Sequence, residues 1–321
     1  MRRRLLLLIC AALTVAAATC APALAAAPAA ATPHLYVRGA YFVHRDAVTV
    51  PGRAFSVQGI VRPYVPGQRV AVVTTLGRRR IKRDLLRVKP LPGGRAGAFT
   101  ERVRSPAAGL VRITVIHHRS AQMVGFEKSR AVAVLTPSAG YGQSGTFVAL
   151  IQQLLLARHV YLLPTGVFDQ HTALALDAYH RLLGRGVSQA LDPGVITALL
   201  NGEGTFKVLH PRDGTHVEGN LGRQLLALIH GAKVVWIYPI SSGKPSTPTI
   251  LGHFHVYLRT PGYLPDGMYF SDFFSGGYAI HGYDPAPDYP ASHGCMRVPI
   301  ADAVSIYDWL RIGDVVDVYY P

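Results

Sequence analysis

Between Leu35 and Leu135 apolar and polar residues alternate in short runs, and the runs end at Pro and Gly. Phe55-Ser56-Val57-Gln58-Gly59-Ile60-Val61, Arg69-Val70-Ala71-Val72-Val73 and Leu110-Val111-Arg112-Ile113-Thr114-Val115-Ile116 are examples. Pro51-Gly52, Pro66-Gly67, Pro92-Gly93-Gly94 and Pro106-Ala107-Ala108-Gly109 mark the turns. A period of two places successive side chains on opposite faces of a pleated strand, and breakers at this density leave no room for helices. Residues 33–135 are therefore expected to form an all-β, immunoglobulin-like sandwich.

The period then changes. Residues 136–144 form a linker rich in Gly, Ser and Pro, followed by helical spacing in Phe147, Leu150, Ile151, Leu154 and Leu155. A second helix is expected from Asp169, a cap residue, to Leu183 before Gly184, and a third over Pro193–Leu200. Residues 145–202 are thus a small three-helix bundle. From 205 to 321 the pattern returns to mostly β with one or two helices. It includes Lys233–Ile240, a strictly alternating His253–Leu258, Tyr278–Ile280 and a final Val315–Tyr320, with a helix at Ile300–Leu310.

Arg2-Arg3-Arg4, an apolar stretch from Leu5, and Ala23-Leu24-Ala25 read as a signal peptide over 1–25. A retained anchor and lipidation at Cys20 are the alternatives; each places the rest of the chain outside the cytoplasm, at the cell wall or the periplasmic face of a membrane. Cys10 and Cys20 belong to the leader, so Cys295 stands alone and no internal disulfide can form. Stability must come from apolar cores, and the chain is expected to be a monomer. The formal charge of +15 is concentrated early: residues 33–135 hold 19 Lys or Arg against 4 Asp or Glu, and residues 136–321 hold 11 against 14. A basic exported segment suits an anionic surface, cell-wall polymer or lipid headgroups; nucleic acid fits the charge but not the compartment. A solvated basic surface is the plainer alternative.

Ser292-His293-Gly294-Cys295-Met296-Arg297 follows His281-Gly282 after a loop carrying Pro285, Pro287 and Pro290. A thiol needs a neighbouring imidazole or a positive field to act as a nucleophile at neutral pH. The stiff loop can fold back to bring Cys295 against His281. Gly282 and Gly294 permit close approach of a substrate, and the N–H groups of Gly294 and Cys295 are candidate oxyanion donors. A buried structural cysteine and a zinc site from His281, His293 and Cys295, with His253 or His255, are the alternatives. No metal and no organic cofactor is called for.

Two resemblances follow from these residues. Residues 205–321 resemble the L,D-transpeptidase catalytic domain (the YkuD-like family), through His281-Gly282 and Ser292-His293-Gly294-Cys295-Met296-Arg297. Gln224-Leu225-Leu226, Tyr238 to Gly243, Thr247-Pro248-Thr249 and Gly276 to Ile280 support it. The loop between His281 and Ser292 is shorter than the family's. Residues 145–202 resemble the three-helix peptidoglycan-binding domain through Gln152, Gly166, Phe168-Asp169, Thr172, Ala175-Leu176 and Tyr179. The first resemblance implies Cys295 as nucleophile, His281 as base, the Gly282 carbonyl as its orienter, and a role for His293 in the turn. It implies Ser292 as shaping the turn and its hydrogen bonds as well as lining the substrate site, Arg297 as bracing the turn or meeting a substrate carboxylate, and Tyr278 and Tyr269 as substrate-facing walls or core. The reaction implied is 3→3 cross-linking of peptidoglycan stem peptides with loss of the terminal D-Ala. Hydrolysis of the same bond by an L,D-carboxypeptidase, attachment of a protein to the wall, and a non-catalytic wall-binding protein remain open. Binding of cell-wall polymer by the helical segment is implied by the second resemblance alone.

Overall fold

A computed structural model describes residues 27–320; the leader and its cysteines lie outside the described residues. No described helix is long and apolar enough to cross a membrane.

The first unit is built from ten strands: β1 (Thr32–Arg38), β2 (Tyr41–Val43), β3 (Asp46–Thr49), β4 (Ala54–Arg62), β5 (Arg69–Leu76), β6 (Arg79–Arg87), β7 (Lys89–Pro90), β8 (Gly97–Arg104), β9 (Gly109–His117) and β10 (Phe126–Val134). They form a four-stranded sheet, β1-β4-β8-β7, and a six-stranded sheet, β2-β3-β10-β9-β5-β6. Alternation in β4 buries Phe55, Val57 and Val61, and alternation in β9 buries Val111, Ile113 and Val115; these meet in one core. The basic run Arg79-Arg80-Lys82-Arg83 lies on β6, at an edge of the larger sheet. Charged side chains on an edge strand discourage pairing with another chain, which gives this run a role within the fold itself. Lys82 pairs there with Asp84 and with the buried Glu101.

Three helices follow: α1 (Thr146–Leu156), α2 (Gln170–Leu182) and α3 (Pro193–Asn201). The Asp169 carboxylate accepts from the Thr172 N–H at 3.0 Å and Asp192 caps α3, each satisfying N–H groups that a helix start leaves open. Gln152 is buried; its Nε2 donates to Thr172 Oγ1 at 2.8 Å and to the Val167 carbonyl at 2.9 Å, and its Oε1 accepts from Gly166 N at 2.8 Å. Gln152, Asp169 and Thr172 thus hold the helices and their loop together.

The last unit has nine strands: β11 (Thr215–Asn220), β12 (Leu225–His230), β13 (Lys233–Pro239), β14 (Gly252–His255), β15 (Leu258–Tyr263), β16 (Tyr269–Ser275), β17 (Tyr278–Gly282), β18 (Met296–Val298) and β19 (Val315–Tyr319), with α4 (Ile300–Trp309) before the last. One sheet runs β13-β12-β11-β19-β14 and the other β15-β16-β17-β18. Val217, Leu226, Leu228, Tyr238, Ile280, Met296, Val298, Ile306 and Val316 pack between them. The alternating segment His253–Leu258 is not one strand. It changes sheets: Val256 N donates to Asp314 O beside the first sheet, and Tyr257 N donates to Phe273 O in the second.

The helices do not stand apart. The other face of β12 and β13, with Leu225, Ala227, Ile229 and Ile237, joins a single core with Leu150, Ile151, Leu176, Tyr179 and Leu199. Val43, Val48 and Val50 of the first unit reach the same core.

Candidate active site

β17 and β18 run parallel, with Ile280 opposite Met296, His281 opposite Arg297 and Gly282 opposite Val298. One step back along both chains sets Cys295 beside Ala279. Alternation then turns Cys295, Arg297, Ala279 and His281 to one face. With strands about 4.8 Å apart and a rise of about 3.3 Å per residue, the Cα atoms of Cys295 and His281 lie on a diagonal of about 8 Å. A thiol and an imidazole can close that span.

His281 is buried at 2% exposure. Its Nδ1 lies 2.9 Å from the Gly282 carbonyl oxygen. A carbonyl only accepts, so Nδ1 carries the proton and Nε2 is left as the basic nitrogen. Burial pushes the imidazole pKa down to about 4, helped by the Arg297 guanidinium and opposed by the Gly282 bond. The Cys295 thiol is pushed above its ordinary value, also chiefly by burial; the Ala279 N–H and the Arg297 charge pull the other way. Its Sγ donates to the Gly277 carbonyl at 3.4 Å. Desolvation thus disfavours the charged form of each group, the thiolate and the imidazolium. The Arg297 guanidinium lies over the Tyr283 ring, its Cζ 3.9 Å from the centroid, and its backbone exchanges two hydrogen bonds with Ser241 at 2.9 and 3.0 Å.

The turn before Cys295 is held from within. Ser292 is buried; its Oγ donates to the Cys295 carbonyl at 2.6 Å and accepts from Gly294 N at 3.0 Å. Its backbone N–H donates to Ser242 O at 3.0 Å. Ser242 is fixed in turn by the buried Gln224, whose Nε2 donates to Ser242 Oγ and whose Oε1 accepts from Ser242 N, both at 2.8 Å. Gln224 itself adopts a positive φ of 51°. Gly294 has φ 125°, and a Cβ there would stand 2.5 Å from the Tyr278 ring.

These contacts revise four expectations. Ser292 shapes the turn as expected, and because its hydroxyl is spent there it does not also face a substrate. The Gly294 N–H is committed to Ser292 Oγ, so it is not an open oxyanion donor. His293 is exposed and its Nε2 lies 3.2 Å from Lys244 Nζ, a contact at the turn's surface. The zinc alternative at Cys295 fails with it, since His253 sits in the other sheet against Asp317. Tyr278 is placed against Gly294, and Tyr269 packs over Gly282 within a cluster of Tyr263, Phe270 and Tyr307. Gln224 and Ser242, quoted above only as part of supporting segments, form the support of this turn. The signal available was a glutamine in the turn just before the apolar run Leu225–Ile229.

Residues 214–318 match the family model of the YkuD L,D-transpeptidase catalytic domain. An L,D-transpeptidase from Xylanimonas cellulosilytica is similar at 29% identity, covering 57% of this chain and all of that structure, with a TM-score of 0.52. That share exceeds the matched segment, so the likeness extends beyond it. The catalytic domain of the Enterococcus faecium L,D-transpeptidase is 26% identical over 33% of this chain and 98% of that one, with a TM-score of 0.30. No curated protein matches the chain.

Proposed function

We propose, on the premise that residues 214–318 form an L,D-transpeptidase catalytic domain of the YkuD family, that the chain is a cysteine acyltransferase acting on peptidoglycan stem peptides. The observation that carries this reading is the orientation of His281. Its Nδ1–H is held by the Gly282 carbonyl, which leaves Nε2 as the free basic nitrogen of a ring on β17, the strand that pairs with the segment following Cys295.

The chemistry follows from the resting charges. His281 Nε2 takes the thiol proton as Cys295 Sγ attacks the carbonyl carbon of the L-centre residue of a donor stem, diaminopimelate in our reading. The sulfur–carbon bond forms and charge builds on the oxygen. The Cys295 N–H, with Gly294 N–H occupied, is the donor we assign to that charge. Collapse breaks the bond to D-Ala, and His281 returns the proton to the departing amine. The side-chain amine of a second stem then attacks the thioester, its proton passes to His281, and the thiol is restored. The product is a 3→3 cross-link. Gly282 serves as the third member of the triad, orienting rather than taking up a proton. Arg297 supplies positive potential to the developing thiolate. Export through the leader and wall attachment by the helices and the basic first unit complete the proposal.

The test is product analysis. Purified enzyme incubated with disaccharide-tetrapeptide should give cross-linked dimer and free D-Ala by mass spectrometry, and Cys295→Ala should give neither. Tripeptide without dimer would assign hydrolysis to the same site, and D-Ala release by Cys295→Ala would overturn the mechanism.

A further inference from the structure

On the β11–β19–β14 face turned away from the core that holds Met296, four metal-ligating side chains converge. His253 on β14 pairs in register with Asp317 on β19, and its Nδ1 lies 2.8 Å from Asp317 Oδ1 and 3.6 Å from Asp213 Oδ2. His210 Nδ1 lies 3.9 Å from Asp213 Oδ2 and 3.9 Å from Asp317 Oδ1. The donor atoms of His210, Asp213 and Asp317 all fall within 4.8 Å of one another.

Asp317 is 1% exposed, and its Oδ2 has no hydrogen-bond partner. A buried carboxylate with half its acceptors unmet is costly unless a cation serves it. The fold supplies none from Lys or Arg at this point. The charged and titratable groups nearest along the same face are His216 and Glu218, and Glu218 is already engaged by the N–H groups of Leu209 and His210 and by the Tyr319 hydroxyl.

We infer that His210, Asp213, His253 and Asp317 form a divalent transition-metal site, with Zn²⁺ as the best fit. Zinc takes imidazole nitrogen and carboxylate oxygen at about 2.0–2.2 Å, in a tetrahedron whose donor–donor edges are about 3.4 Å. Four of the six donor–donor separations, 2.8–3.9 Å, bracket that edge; His210, Asp213 and Asp317 form the compact set, and His253 joins it through Asp213 and Asp317. Two neutral imidazoles and two carboxylates suit zinc better than the all-oxygen shells of magnesium or calcium.

The role is structural. His210 and Asp213 belong to the connection between α3 and β11, whereas His253 and Asp317 belong to the sheet. A metal joining them fastens that connection to the sheet, on the far side from Cys295. His253 and His210 are 51% and 42% exposed, so an ion can enter without unfolding.

The full chain, stripped with chelator and free of any affinity tag, is titrated with ZnCl₂ by calorimetry and by thermal unfolding. The expected result is one zinc per chain and a rise in Tm reversed by EDTA. Cys295→Ser should keep this zinc, which separates the site from the thiol. His253→Ala, at an exposed position, and the isosteric Asp317→Asn should each weaken binding at least tenfold while folding normally without metal. Equal zinc affinity in wild type and His253→Ala, or no zinc bound by wild type at micromolar concentration, would show a hydrogen-bonded cluster only and overturn the assignment.

Discussion

Arg181, on α2, donates through Nη1 to the carbonyl of Gln224 at 2.9 Å. The same nitrogen lies 2.9 Å from the Ile240 carbonyl, and the guanidinium holds Asp177 through Nε and Nη2 at 3.1 and 2.6 Å. Gln224 grips Ser242, and Ser242 grips Ser292, one turn from the thiol. A helix outside the catalytic sheets thus reaches, by three polar steps, the segment that positions Cys295.

Arg181→Met should cost about 3–5 kcal/mol in urea unfolding, because it strands the buried Asp177 carboxylate. Adding Asp177→Leu should recover part of that loss. If the double variant is as unstable as the single one, the carbonyls of Gln224 and Ile240 carry the stabilisation instead of the ion pair.

Ser292→Ala should lower kcat by at least tenfold with a stability loss of about 1–3 kcal/mol, the range for leaving buried partners of one hydroxyl unmet. The Cys295 carbonyl and the Gly294 N–H both lose their partner in this variant. Steady-state D-Ala release with parallel thermal unfolding measures the two effects separately.

The rate of Cys295 alkylation by iodoacetamide should climb through pH 9 without levelling near neutrality. The thiol titrates above its ordinary value, so its thiolate fraction keeps growing as pH rises, and His281, at about 4, is neutral throughout that window. A plateau beginning near pH 6 would instead indicate a preformed thiolate–imidazolium pair.

Gly294→Ala should abolish activity, since φ 125° is a strained region for alanine and its Cβ meets Tyr278 at 2.5 Å. Tyr278→Ala in the same chain removes the collision but not the backbone strain. Activity restored by that second change would show that the ring, and not the dihedral angle, forbids a side chain.

The neighbourhood of Cys295, His281 and the Gly282 carbonyl was legible because the residues are close in sequence and share a motif of few residue types. Gln224 and Ser242 were harder to read, since their link to Ser292 spans 68 and 50 positions of chain. Alternation marked His253–Leu258 as extended, but the period is the same in either sheet, so the crossing at Val256 leaves no trace in it. Helical spacing likewise showed which faces of α1, α2 and α3 are apolar, and not that β12 and β13 lie against them. The resting protonation of Cys295 and His281 depends on burial, which no local pattern reports.

The core shared by the helices, the back of β12 and β13, and Val43, Val48 and Val50 sets a limit on how the protein can be rebuilt. A fragment begun at the linker would lose the Val43–Val50 side of that core, and one begun at Thr205 would leave Leu225, Ala227, Ile229 and Ile237 bare to water. Such pieces invite self-association through greasy surface. Grafting the C-terminal sheets onto a different module therefore requires carrying the helices along as part of the cargo.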